Sequence, residues 1–271
     1  MSIRIEYGIE VAVEDSFGAL RLIPKVVGQP IDPLLRTDIF SYCRPCFDAQ
    51  PHAGYIRLMY VFPDSLGHLV CKSGIHEPIA LLPGELLWSA AGRGIQTADD
   101  PIVSAGICSG AQFYIKLPPT EEVASPRHKV VPSADVVDIE NPDARISLLF
   151  GQYSGHHVGI FGLPYALLEA QITTCATLPI PEGWSVMLFF VEGKGSLNGQ
   201  HWNEDQFASL VSEQQLELNV DAPSRILIFM GQPNQTPLYW EGPFAMSSKE
   251  RLEMVRNAYK LGFITPIKDA D

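Results

Sequence analysis

Residues 47–55 read FDAQPHAGY, and residues 82–99 read LPGELLWSAAGRGIQTAD. Between them, residues 55–62 form an apolar, strand-forming run, and the Pro-Gly and Gly-Arg-Gly steps that follow predict tight turns. The QPHAG, PGELLW and AGRGI elements each lie at the end of a predicted strand. Loops that a rigid sheet holds in place often carry functional groups. We therefore expect the candidate site within residues 47–99.

The same alternation of short strands and turns continues on both sides of this stretch. Strand patterns cover residues 3–13, 55–62, 67–72 and 102–117, and a second series runs from residue 145 to residue 230. The 22 Gly and 22 Pro residues are spread along the chain, as in proteins with many turns. Regularly spaced short strands favour closed antiparallel β folds such as the cupin barrel, a double-stranded β-helix.

A proline-bearing connection at residues 118–132 separates the two series of strands and predicts two domains. We place an N-terminal, site-bearing cupin domain at residues 1–130. A C-terminal cupin domain with a short helix covers residues 131–271. The predicted fold class is all-β, with two barrels packed face to face. Ser247 or Ser248 is the expected N-cap of a helix over residues 249–259, and Gly262 is expected to end it.

Composition restricts the classes of function. The chain of 271 residues is 46% hydrophobic and has a net charge of −12, so a basic phosphate-binding face is not expected. We expect no nucleic-acid binding, no membrane association and a cytoplasmic location, because the sequence has no long apolar run and no basic, apolar leader at its start. Of its five cysteines, Cys43 and Cys46 form a CxxC pair, which we interpret as coincidental because no second ligand pair follows at zinc-site spacing.

The two elements within residues 47–99, together with GPFAMS at residues 242–247, resemble the pirin family of bicupins. That family carries HPHRG at the first element, PGDxQWMxAGxGIxHxE at the second and GPFVMN before a C-terminal helix. The resemblance extends over nearly the whole chain. It implies two cupin barrels and a metal, usually iron, held by two histidines of the first element and by a histidine and a glutamate of the second.

Carried over by position, the family's metal ligands correspond to Gln50, His52, Thr97 and Asp99, of which only His52 is unchanged. An amide and a hydroxyl are weaker ligands for transition metals than imidazole, so this set predicts weak binding or none. His52 has two alternative interpretations. It is either a buried imidazole that replaces the metal as a cross-brace with Asp99, or an acid–base group in a pocket.

Other residues near the predicted barrel mouth also have two interpretations each. Trp88 is either a core residue or part of the pocket, and Arg93 either fixes its turn or contacts a ligand. His156 and His157 form the other local histidine cluster, and adjacent residues of a strand point to opposite faces. We therefore expect an exposed pair there and no shared ion.

The resemblance implies two kinds of function, and whether the protein is an enzyme stays open at this stage. The first is a metal-dependent dioxygenase of the quercetinase type, which needs iron or another divalent transition metal. The second is a binding or regulatory protein whose small-molecule or protein partner the sequence does not identify. Because three of the four ligands are substituted, we favour the second, with no cofactor.

Overall fold

The computed structural model describes residues 2–23, 32–160, 162–211 and 213–267, and the chain forms two compact units. The N unit consists of Glu10–Ala19, Leu34–Ser133 and Asn234–Asp271. The C unit consists of Met1–Ile9, Leu20–Pro33 and Ala134–Pro233. The domain boundary at residue 130 stays a prediction. These units differ from a simple division there, because each includes a segment from the other end of the chain.

The N unit contains a seven-stranded sheet and a four-stranded sheet. The larger sheet has the order β12-β9-β6-β11-β4-β3-β2, with β2 Ile9–Val13, β3 Phe17–Leu22, β4 Leu34–Tyr42, β6 Tyr55–Val61, β9 Leu86–Ala90, β11 Cys108–Lys116 and β12 Arg127–Val131. The smaller sheet has the order β5-β10-β7-β8, with β5 Gln50–His52, β7 Gly67–Ser73, β8 His76–Leu81 and β10 Ile95–Val103. A two-stranded ribbon, β24 Tyr239–Glu241 and β25 Phe244–Met246, precedes helix α1, Lys249–Lys260.

The C unit repeats this combination of a large and a small sheet. Its eight-stranded sheet has the order β1-β21-β18-β23-β16-β14-β13, with β15 paired to β14; the ranges are β1 Ser2–Tyr7, β13 Val137–Ile139, β14 Ala144–Tyr153, β15 His156–Val158, β16 Tyr165–Ile172, β18 Ser185–Glu192, β21 Gln206–Val211 and β23 Ser224–Gly231. Its four-stranded sheet has the order β17-β22-β19-β20, with β17 Cys175–Pro179, β19 Lys194–Leu197, β20 Gln200–Asn203 and β22 Gln215–Val220. A short 3₁₀ turn, Ser133–Asp135, precedes β13.

The all-β prediction is confirmed, and most predicted strands are present with bounds shifted by a few residues. The run at residues 3–13 is divided at Gly8, where an added Cβ would lie 2.5 Å from Phe207 and 2.8 Å from Leu20. The strand pattern predicted for residues 67–72 is followed by a turn at Gly74 and Ile75 and then by β8, which begins at His76. Proline within β8 did not prevent strand formation, because β8 lies at the edge of its sheet.

The C-terminal helix begins and ends as predicted. The Ser248 hydroxyl accepts a hydrogen bond from the Arg251 amide at 3.2 Å, which identifies Ser248 as the N-cap. Gly262 follows the helix with a φ of +75°. Leu252 and Val255 pack with Ala53, Phe244, Met246 and Ile264 in one core cluster. In the described residues no helix is long and apolar enough to cross a membrane.

Candidate functional site

Strands β5 and β10 hold the four positions that correspond to the family's metal ligands. The strands pair antiparallel, with His52 opposite Ile95 and Gln50 opposite Thr97. Residues that face each other across a ladder, and alternate residues along a strand, share one face of a sheet. Gln50, His52, Thr97 and Asp99 therefore belong to one face of the four-stranded sheet.

The structure joins only two of these four side chains directly. The His52 ring bonds through Nε2 to the Thr97 hydroxyl at 2.9 Å and through Nδ1 to the Tyr55 hydroxyl at 2.5 Å. His52 and Thr97 are each 5% exposed. Gln50 is exposed at the start of β5. His52 and Thr97 are thus in direct contact, whereas within the described part of the chain Gln50 takes no part in that contact.

Asp99 pairs with Arg57, and not with His52 as the cross-brace interpretation required. Arg57 Nη1 donates to Asp99 Oδ2 at 2.6 Å, and Arg57 Nη2 donates to Asp99 Oδ1 at 2.9 Å. The side chains are 8% and 13% exposed. A two-pronged guanidinium–carboxylate pair with this little solvent is among the stronger polar contacts in proteins. The pair also links β6 of the large sheet to β10 of the small sheet.

More polar side chains occupy the face of the large sheet that carries Arg57. Arg36 forms an ion pair with Asp38, whose side chain is fully buried, and Gln112 Nε2 donates to Asp38 Oδ2 at 2.7 Å. The Tyr114 hydroxyl donates to Gln112 Oε1 at 3.2 Å, and the Arg36 guanidinium lies 4.6 Å from the Tyr114 ring centroid. Two arginines thus face two aspartates, and buried charges that are paired in this way avoid most of their desolvation cost.

The surroundings keep His52 and Tyr55 uncharged at neutral pH. Burial, followed by the positive charges of Arg57 and Arg36, holds the pKa of His52 well below its ordinary value of 6.5. Burial, followed by the neighbouring Tyr114, raises the pKa of Tyr55 well above 10.0. A general base needs a pKa near the working pH. The acid–base interpretation of His52 therefore has no support from its electrostatics.

The residues at the family's ligand positions do not fit a divalent metal ion. Both nitrogens of His52 and both oxygens of Asp99 are engaged by protein partners. The Arg57 guanidinium occupies the carboxylate that an ion needs, and a divalent ion about 4 Å from a guanidinium is repelled by about 8 kcal/mol at an effective dielectric constant near 20. No cluster of three or more His, Cys, Asp or Glu side chains suited to a metal occurs among the residues that the structure describes.

The two predicted pocket residues lie elsewhere. Trp88 is 2% exposed and pairs in register with Leu58, so it shares a face with Leu58 and lies on the side of the sheet opposite to Arg57. Arg93 is exposed in the turn between β9 and β10, and its amide donates to the Ala124 carbonyl at 3.0 Å.

The Cys43 thiol contacts the Asp15 carbonyl at 2.8 Å, and both Cys43 and Cys46 are free thiols.

The role of Arg57 was not predicted, although the sequence contains one indication of it. Strand β6 reads YIRLMYV, and every residue in it is buried. A single arginine in such a run needs a carboxylate partner inside the protein, since arginine is almost never fully buried without one. Arg57 therefore needs an acidic residue on a facing strand, and Asp99 is this partner.

A groove of about 360 Å³ lies in the C unit at the β14–β15 hairpin. Tyr153 and Trp184 contribute aromatic walls, Pro181 an aliphatic surface, and His156 and His157 ring nitrogens. The Tyr153 hydroxyl donates to the Pro179 carbonyl at 2.8 Å, which fixes this ring. His156 and His157 are both exposed, as predicted, although they lie in strand β15 and not in a loop. The volume is within the range of small-molecule sites.

Comparison with known proteins finds similarity to pirins along most of the chain. The Pirin C-terminal cupin domain matches residues 165–264. A pirin-like protein of Solanum lycopersicum is 26% identical over 254 residues, which are 89% of this chain and 86% of the relative. A protein of Pseudomonas aeruginosa, provisionally named a quercetin 2,3-dioxygenase, is 25% identical over 270 residues, 92% of this chain and 94% of the relative.

Solved structures show the same fold at lower sequence identity. Quercetin 2,3-dioxygenase from Acinetobacter baumannii superimposes with a TM-score of 0.83 at 19% identity and covers 97% of each chain. A bacterial pirin of Escherichia coli in complex with nickel(II) superimposes with a TM-score of 0.68 at 16% identity, over 86% of this chain and 100% of the other. At these identities the likeness establishes the bicupin fold and leaves the chemistry to the site.

Proposed function

We propose that this chain, which is similar to pirin-like bicupins in sequence and fold, works as a binding or regulatory protein and not through a metal at the family's ligand positions. One observation carries the proposal, namely the two-pronged Arg57–Asp99 pair. The guanidinium supplies, from the protein itself, the positive charge that a metal would bring to Asp99. The barrel core is then held together by side chains alone.

The groove in the C unit supports this proposal of a binding function. Small-molecule sites combine aromatic and apolar walls with a few polar groups that fix orientation. Tyr153 and Trp184 supply the walls, and the two histidines supply the polar groups. We propose a planar aromatic small molecule as its ligand. The expected cytoplasmic location and the expected lack of nucleic-acid binding stay predictions.

A second candidate function is favoured by the relatives. Both a sequence relative and a structural neighbour carry the name quercetin 2,3-dioxygenase, so this chain would oxidise quercetin if its unusual Gln50, His52, Thr97 and Asp99 set held iron or another transition metal. That reaction requires a metal beside Asp99, and Arg57 already neutralises the negative charge of Asp99. The two proposals therefore make opposite predictions about the His52 ring.

An NMR titration of the imidazole signals separates them. Anaerobic Fe²⁺, which is paramagnetic, broadens or shifts the signals of any ring that binds it. We expect the His52 signals to stay unchanged in excess Fe²⁺, and the iron-treated protein to consume no dioxygen with quercetin. Selective loss of the His52 signals together with quercetin-dependent oxygen uptake would establish the dioxygenase instead.

Restoring the ligands in two steps tests the part that Arg57 plays. The triple variant Gln50→His, Thr97→His and Asp99→Glu recreates the family's donors but keeps the guanidinium beside them. We expect it to bind iron poorly, and we expect the further change Arg57→Val to improve affinity at least tenfold. Equal iron affinity of the triple and quadruple variants, measured by chelator competition, would show that Arg57 does not exclude the ion.

A further inference from the structure

Two histidines that play no part in the site above lie against each other at another place in the N unit. The ring centroids of His76 and His128 are 4.3 Å apart, with an angle of 54° between the ring planes. His76 is half-buried and His128 is exposed, so water and dissolved ions reach both rings. Imidazole pairs of this kind are preferred ligands for Zn²⁺, Ni²⁺ and Cu²⁺.

The spacing is close to what a shared ion requires. With metal–nitrogen bonds of about 2.0–2.1 Å and an angle between right and tetrahedral, two imidazole centroids on one ion lie roughly 4.5–5 Å apart. The observed 4.3 Å is short of this by only a few tenths of an ångström. A small rotation of the exposed His128 ring supplies that difference without moving the backbone.

One ring is already held in the form that a metal ligand needs. His76 Nδ1 lies 2.7 Å from the Glu77 carbonyl oxygen, and because a carbonyl can only accept, Nδ1 carries the proton. The lone pair is therefore on Nε2. Metal-binding histidines typically donate their other ring N–H to a carbonyl or carboxylate in this way, which fixes the tautomer and the ring orientation.

The strands that carry the pair make its geometry reproducible. His76 begins β8 and pairs with Ser73, whereas His128 lies in β12 and pairs with Ser89. Both strands are edge strands of their sheets. Two hydrogen-bonded sheets therefore fix the two Cα positions, and sites built on strands are more precise than sites built on loops.

We propose that His76 and His128 form a two-histidine binding site for a divalent transition ion of the Zn²⁺, Ni²⁺ or Cu²⁺ class. Because no third His, Cys, Asp or Glu in the described residues completes a cluster, water molecules fill the remaining coordination positions. An open site of this kind binds more weakly than a closed three- or four-ligand site. The site is independent of Gln50, His52, Thr97 and Asp99, so the inference goes beyond the proposed function.

Calorimetric titration with Zn²⁺ and with Ni²⁺ tests the site, using full-length protein that has been freed of its tag and treated with chelator. We expect one equivalent to bind. The double variant His76→Gln, His128→Gln should lose at least tenfold in affinity, whereas the matched variant His68→Gln, His201→Gln keeps the wild-type value. The second variant also removes one half-buried and one exposed histidine, and both lie outside the sites described above.

Each other outcome has a distinct meaning. No binding by the wild type, or unchanged binding by the His76–His128 double variant, would overturn the two-histidine site and leave the proposed function intact. If His52→Gln abolishes binding and the double variant does not, the ion sits at the family position, and both proposals fail. As a second readout, Zn²⁺ should move the ring signals of His76 and His128 while those of His52 stay in place.

Discussion

The guanidinium of Arg57 lies within a strand whose other members are apolar or aromatic and all of which are buried. Its positive charge is tolerated there because Asp99 meets it with both carboxylate oxygens. Burial alone would lower the pKa of Arg57, yet Asp99 and the nearby Tyr114 raise it, so the charge persists. Removing one partner leaves a buried charge without compensation, whereas removing both does not.

This asymmetry predicts the outcome of a mutant cycle. Arg57→Met should lower the free energy of unfolding by about 3–5 kcal/mol, because Asp99 is left buried and unpaired. The double variant Arg57→Met, Asp99→Leu should recover most of that loss. Urea denaturation of the two variants and the wild type measures it. If the double variant is less stable than Arg57→Met, the pair is not the reason for the instability.

His52 also makes the stability of the protein depend on pH. The pKa of His52 is held well below 6.5 in the folded protein, so below about pH 6.5 the unfolded chain takes up a proton that the folded one refuses. Stability should therefore fall as pH drops from 6.5 towards the depressed folded value. The denaturation midpoint of His52→Gln should change less over this range than that of the wild type. Replacement of the exposed His201 by Gln serves as the control.

The sequence predicted that two elements within residues 47–99 come together, but not all the contacts that their side chains make. The QPHAG element and residues 95–99 do come together as strands β5 and β10, as their positions after turns suggested. The partner of Asp99 could not be read in the same way. Arg57 is 42 residues away in sequence, and only the pairing of two sheets brings the groups together.

Among the elements, the end of β5 lies close against the C-terminal segment. Gly54 follows β5 with a φ of +81°, and a Cβ there would lie 1.7 Å from the Ala245 carbonyl oxygen. The Ala245 amide donates to the Ala53 carbonyl at 3.1 Å. The end of β5, which carries His52, is thus held against β25, and no side chain fits between them.

This contact predicts a difference between two glycine substitutions. Gly54→Ala and Gly262→Ala both place a side chain at positive φ, at +81° and +75°, and each should cost about 1 kcal/mol for that reason. Only Gly54→Ala also meets backbone, which should add about 1–3 kcal/mol. Thermal unfolding of the two variants compares them. Equal stabilities would mean that the backbone at residue 245 moves away freely.

Several of the strands that were not predicted are very short. Strands β13, β15, β20, β24 and β25 are each three or four residues long, too short for alternation to stand out. Strand β12 was interpreted as part of a connection because prolines flank it. The helix, in contrast, was predicted closely, because Ser248 and Gly262 mark its ends and Leu252 and Val255 mark its buried side.

In the whole molecule, segments that are far apart along the chain belong to the same compact unit. Strand β1, at the start of the chain, pairs along its length with β21 at residues 206–211. The segment after residue 234, which includes helix α1, belongs to the unit formed mainly by residues 34–133. Sequence patterns are local, and so they indicated two series of strands without this exchange.

The exchange has a consequence for synthesis on the ribosome. The C unit requires residues 1–9 and continues to residue 233, and the N unit requires the segment that begins at residue 234. A nascent chain that ends before residue 233 therefore contains neither unit in full. Strand β1 therefore lacks its pairing partner until β21 has been made. The N unit gains helix α1 only after the segments of the C unit have been synthesised, so the two units can be completed only in close succession.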